Sequence, residues 1–196
     1  GSGSELGALV PIIEVLEGGW PWILVWPIGF LGAFLCLDSR WGAWAFSTQI
    51  VIAGSILPLK MQLPWYIHPF WLPFSLLCAP PMSWLINRKD DNFCFARKLL
   101  SKIPYILSFV GLCLFALSLL LKLNILKWDE GYFNIIFFIS IGWFFGALLL
   151  SNSKKNIRII GFIGIVLGSL IGFFFFVSSK FWLWEINENW DVRPVA

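Results

Sequence analysis

The sequence predicts an all-α fold: one polytopic domain of six transmembrane helices with both termini on the outer, non-cytoplasmic side. Three observations predict it. The chain of 196 residues is 59% hydrophobic and 13% charged, with a mean hydropathy of +0.81, against about half apolar and a quarter charged in an ordinary soluble domain. The charges are clustered and leave several uncharged windows of about 18 to 20 residues, the length that crosses roughly 30 Å of hydrocarbon. Basic residues collect in alternate short loops, as they do when positive loops stay on the cytoplasmic side.

The elements follow in order. Residues 1–4, Gly-Ser-Gly-Ser, read as an added linker and are set aside. Residues 5–19 place Leu6, Leu9, Val10, Ile13 and Leu16 at helical spacing, interrupted by Pro11 and with Glu17 beside the stripe. That pattern fits a short helix lying in the membrane interface. The apolar span that follows is preceded by acidic rather than basic residues, so no cleavable signal peptide is expected here. Span one covers 20–37 and reverses at Asp38-Ser39-Arg40; span two covers 41–59 and ends at Lys60.

Span three lies in QLPWYIHPFWLPFSLLCAPPMSWLI, residues 62–86, as an irregular piece over 63–68 and a helix from 69 or 70 to 86. A polar loop over 87–102 holds five of the fourteen basic residues. Spans four, five and six cover 103–121, 132–150 and 157–177, so that the transmembrane domain occupies 20–177. The tail, 178–196, mixes aromatics and acids, and Trp182, Trp184 and Trp190 have the character of interface anchors.

Orientation rests on the loops. Arg40; Arg88, Lys89, Arg97, Lys98 and Lys102; and Lys154, Lys155 and Arg158 fall on one side, whereas Lys60, Lys122, Lys127, Lys180 and Arg193 fall on the other. The richer side is expected to be cytoplasmic.

The halves differ in chemistry. Nine of the eleven prolines and eight of the thirteen tryptophans precede residue 85. Prolines 64, 69, 73, 80 and 81 each remove a backbone donor, and Pro73, Pro80 and Pro81 fall where span three should be continuous, so the sequence predicts a broken or kinked helix there. In lipid such a break is tolerated when it is wedged among other helices or lines a cavity. If a cavity exists, Gln49, Trp65, Tyr66, His68 and Trp71 are the expected ligand-binding residues, taking a small molecule or part of a lipid.

Spans five and six instead carry glycines at helix-packing spacing: Gly142 and Gly146, then Gly164, Gly168 and Gly172, with Gly161 a turn earlier. Small residues four apart let two helix backbones approach closely where dispersion drives association. The partner is either another span of the same chain or another membrane subunit, self-association included.

Other chemistries have little support. No ionisable side chain falls in any span core, which disfavours a proton- or sodium-driven pump of the usual kind. Gln49 is the most informative polar residue at depth, and interhelical hydrogen bonding accounts for it more simply than a ligand does. Cys36, Cys78, Cys94 and Cys113 form no CxxC pair, and His68 is the only histidine, so no metal or cofactor is expected. A net charge of +3 without a basic, aromatic-interleaved surface segment argues against nucleic acid.

His68 near outer-side carboxylates such as Glu14 and Glu17 could act as an acid or base on a lipid-linked substrate. No HExxH, GxSxG or Walker pattern accompanies it, and solvated loop charge is the simpler account. The sequence therefore predicts a multi-pass protein of a cell membrane, with three roles open. The first is a non-catalytic subunit binding or transporting a small apolar or lipid-like ligand. The others are a structural or assembly subunit of a larger membrane complex and an enzyme working at the outer surface, an enzyme being the less favoured class. No catalytic residue is assigned.

Overall fold

A computed structural model describes residues 9–59, 64–88, 91–123, 125 and 131–179. Every regular element among them is helical: α1 (Leu9–Gly18), α2 (Trp26–Leu35), α3 (Arg40–Ile56), α4 (Trp71–Asn87), α5 (Arg97–Leu100), α6 (Ile103–Lys122), α7 (Gly131–Leu150) and α8 (Lys155–Val177). Shorter 3-10 turns cover Trp22–Leu24, Pro64–Phe70 and Asp91–Ala96. Among the described residues four helical runs are long and apolar enough to cross a membrane: Ile67–Asn87, Arg97–Lys122, Gly131–Leu150 and Lys155–Val177. They coincide with spans three to six. The tail tryptophans Trp182, Trp184 and Trp190 lie outside the described residues.

The stretches expected as spans one and two are shorter helices. Residues 20–37 divide into the Trp22–Leu24 turn and the ten-residue α2, because Pro21 and Pro27 lack the backbone donors a continuous helix needs and Pro27 is accommodated only in the first turn of α2. The second stretch forms the 17-residue α3. Ser39 starts α3 by accepting the Gly42 N–H at 2.9 Å while its own hydroxyl donates to the Cys36 carbonyl at 2.7 Å. α3 ends at Ile56; Leu57 keeps right-handed helical backbone and its N–H still donates to the Ala53 carbonyl at 2.9 Å, whereas Pro58 has no N–H with which to extend the ladder.

The chain divides into two compact units after Ile103. In the first, α2, α3 and α4 pack around Ala33, Ala45 and Leu77, with Trp26, Phe30, Trp41, Phe46 and Leu76 against that core. The expected break inside span three is absent: α4 is continuous from Trp71 to Asn87 through Pro80 and Pro81. Pro73 falls in the first turn, where no intrahelical donor is required. Pro81 leaves the Leu77 carbonyl without its usual partner four residues on, and that carbonyl lies against Gly29 of α2, where any Cβ would collide with it. The change of geometry comes earlier, at Phe70, where the 3-10 turn gives way to α4. Pro11 likewise sits near the start of α1 without interrupting it. The far end of α4 closes on Arg88, whose backbone adopts the left-handed conformation (φ 53°) and whose N–H donates to the Trp84 carbonyl at 2.7 Å.

In the second unit α7 and α8 form an antiparallel pair joined by a four-residue turn. A Cβ on Gly142 would sit 2.7 Å from the Gly168 Cα, and one on Gly146 would sit 2.7 Å from the Gly161 carbonyl oxygen, so the two backbones touch. Gly172 faces Ile139 and the Ile135 carbonyl. Gly164 is looser: a Cβ there would meet only the Gly146 Cα, at 3.5 Å. Trp143 Nε1 donates across the pair to Ser169 Oγ at 2.9 Å, and Ser169 donates in turn to the Ile165 carbonyl. On α6, Gly111 abuts the backbone of Phe144, and Lys122 lies 5.2 Å over the Phe133 ring.

Candidate functional site

The first unit holds an apolar groove of about 250 Å³. Its walls come from four stretches of chain. From α1 come Pro11, Ile12, Val15 and Leu16, one face of a helix at spacings of three and four. Ile23 is contributed by the first 3-10 turn and Trp26 by the first residue of α2; Ala53, Ile56 and Leu57 come from the end of α3, and Ile67 and Phe70 from the 3-10 turn before α4.

Local sequence places each wall. Gly18 ends α1 against the Trp71 ring, where a Cβ would be only 3.0 Å from two ring carbons, so α1 can lie on the start of α4. In a 3-10 helix residues i and i+3 eclipse. Ile67 and Phe70 therefore share the buried face of Pro64–Phe70, while His68 and Pro69 between them are exposed. Trp26 is fixed by rings on three sides, at centroid distances of 5.7 Å from Phe30, 6.1 Å from Phe70 and 6.1 Å from Phe74, the last nearly parallel.

Among the described residues every wall is apolar except for the Trp26 indole N–H, which is turned onto Gln49: Nε1 donates to Gln49 Oε1 at 3.4 Å. Gln49 is 2% exposed, and its Nε2 has no hydrogen-bond partner among the described residues. Among the described residues the groove can therefore hold an uncharged apolar body by excluding solvent and by dispersion, and none of those residues presents an acid, base or nucleophile to one.

The residues expected from sequence are placed as follows. Gln49 is buried beside Trp26, one helical turn before the groove residue Ala53. His68 is exposed and Trp71 half-buried, and neither lines the groove. Trp65 and Tyr66 fall outside the residues whose side chains are described. Among the described residues, no three His, Cys, Asp or Glu side chains are grouped as a metal would require.

A second cavity, about 370 Å³, is lined by Gly32, Cys36, Ser39, Trp41, Pro80 and Phe93. The Ser39 hydroxyl there is already engaged in capping α3.

Sequence reasoning missed Trp26, Ile67 and Phe70. The period-three pairing of Ile67 with Phe70 was the available signal. It also placed Arg158 among the loop charges, whereas its side chain is buried and its Nη1 donates to the carbonyls of Asn152, at 3.0 Å, and Ser153. Those carbonyls follow the C-terminus of α7, the end of a helix that favours a cation. No family model, curated protein or solved structure matches the chain.

Proposed function

We propose that the protein is a non-catalytic, multi-pass membrane subunit that binds or carries a small apolar or lipid-like molecule in the groove between α1, α3 and the Pro64–Phe70 turn. In this reading the chain crosses the bilayer six times, residues 20–37 and 41–59 supplying the first two crossings, with the basic loops on the cytoplasmic face and both termini outside. The single observation that carries it is the groove: eleven apolar residues from four separate stretches converge on one space, and exposed Ile12, Leu16 and Leu57 give it an apolar rim.

The test is photolabelling of the full chain in lipid nanodiscs with an alkyl diazirine. Labelling concentrated on residues 12–16, 53–57 and 67–70, and reduced severalfold by Ala53→Phe, is the expected result. Labelling spread evenly over all apolar helix faces would sink the proposal.

One observation favours a second reading, a structural or assembly subunit. On α3, Gly54 has none of the described residues within 4 Å of where a Cβ would be, and Val51 beside it is 68% exposed. A flat, apolar helix face of this kind accepts another helix closely. Stoichiometric copurification of a membrane partner in mild detergent, lost in Gly54→Leu, would favour that role over ligand carriage.

A further inference from the structure

The stretch that leads into α6 does not have the surface of a loop in water. Residues 93–103, FCFARKLLSKI, hold three basic residues and no acid. Phe93, Ala96, Leu100 and Ile103 are buried at spacings of three and four, and Phe93 seats on α2 so closely that a Cβ on Gly32 would be 2.6 Å from its ring. That buried face fixes which side chains are turned outward. They include Phe95, 48% exposed, and Leu99, 53% exposed, with Arg97, Lys98 and Lys102 exposed near them in the chain. Large apolar side chains held outward among cations are what a segment lying in a membrane interface presents, the apolar groups entering the headgroup layer and the cations meeting its phosphates.

Position and charge agree with this. The stretch follows the run Ile67–Asn87 and leads into α6, and chain that joins two crossings lies at a membrane surface. Ser101 N–H donates to the Arg97 carbonyl and Lys102 N–H to the Leu99 carbonyl, both at 3.0 Å, so helical geometry continues past the end of α5. Lys98 and Lys102, four apart, therefore share one side of it, where two like charges repel and an anion between them relieves the repulsion. The sign persists when the neighbouring turns are counted, since residues 38–40 and 87–102 together hold six basic and three acidic residues, the acids being Asp38, Asp90 and Asp91. We infer that residues 93–103 are an interfacial anchor for anionic phospholipid, with Phe95 and Leu99 inserted in the headgroup layer and Lys98 and Lys102 holding the negatively charged headgroup. The inference rests on the membrane reading above and makes no use of the groove.

The test uses the full chain in phosphatidylcholine nanodiscs that contain a trace of a phospholipid with a diazirine near the head of one acyl chain. The probe carries either a phosphatidylglycerol or a phosphatidylcholine headgroup, at the same mole fraction, and labelling of residues 93–103 is normalised to that of α7. The phosphatidylglycerol probe is expected to label the segment at least about tenfold more at low salt, the selectivity that two surface lysines supply. The ratio falls toward one in about 1 M NaCl, where the screening length is about 3 Å. Lys98→Gln and Lys102→Gln each lower it severalfold and together remove most of it. Phe95→Ser combined with Leu99→Ser lowers labelling of the segment by both probes.

A ratio near one in the wild type, one that persists in 1 M NaCl, or one unchanged in the double lysine variant overturns the inference; the salt comparison needs no variant to fold. Labelling of α7 without any labelling of 93–103 overturns the placement in the interface. Absence of labelling from α7 as well overturns the membrane reading itself.

Discussion

In the second unit the backbones of α7 and α8 meet directly at Gly142 and Gly168, whereas in the first unit α2, α3 and α4 are spaced by Trp26, Phe30, Phe46 and Leu77. Gly29 on the Leu77 carbonyl is a close backbone contact of the first unit, and it uses an oxygen that Pro81 has released. Backbone contact fills the space between two helices with atoms that cannot be rearranged. Large side chains joined at angles leave gaps, and the apolar groove is one of them. The difference shows where in this molecule space is left between helices: beside rings and prolines, not along the glycine seam.

If that contrast holds, removing atoms should injure the first unit and adding them should injure the second. The largest effect is expected for Leu77→Ala, which empties the centre of the α2–α3–α4 core and should cost about 3 kcal/mol in SDS titrations of the protein in mixed micelles. A loss below about 1 kcal/mol would mean that this core collapses freely around the gap.

Next comes Gly168→Ala, whose new methyl group would meet the Gly142 Cα at 2.6 Å and should cost about 2 kcal/mol by the same titration. Gly164→Ala is its internal control, expected to be neutral or stabilising by up to about 1 kcal/mol, because only an ordinary contact awaits the methyl and alanine favours helix. Equal penalties at the two positions would break the comparison.

Trp143→Phe removes the hydrogen bond to Ser169 and should cost about 1 kcal/mol, with no further loss when Ser169→Ala is added, a pattern that a double-mutant cycle reads directly. The smallest effect is a gain. Arg88→Gly relieves the left-handed backbone at the end of α4 and should raise stability by about 0.5 kcal/mol; a fall instead would show that the Arg88 side chain holds the loop.

Much of this contrast was legible in the sequence, unevenly. The regular spans read well because their hydropathy is uninterrupted: expected limits of 103–121, 132–150 and 157–177 stand against Ile103–Lys122, Gly131–Leu150 and Lys155–Val177. The first third read less well because proline has two meanings. At Pro21 and Pro27 it shortened a helix the hydropathy had made long, while α4 runs on through Pro80 and Pro81, with the Leu77 carbonyl released by Pro81 packed against Gly29. For the candidate site, the conspicuous His68 and Trp71 share a segment with residues that line the groove but do not themselves line it. Ile67 and Phe70 do, and a turn of three residues decides it.

The four-residue turn between α7 and α8 also bears on how the molecule comes to exist. Residues that meet across that hairpin are close in the chain, so little loop entropy is spent in bringing them together, and the pair can form as soon as both helices have left the ribosome. The groove draws on positions from Pro11 to Phe70 and is complete only after all four of its stretches have assembled. Hydrogen exchange should therefore find the hairpin amides of α7 and α8 among the slowest in the molecule, and those of α1 among the first to open.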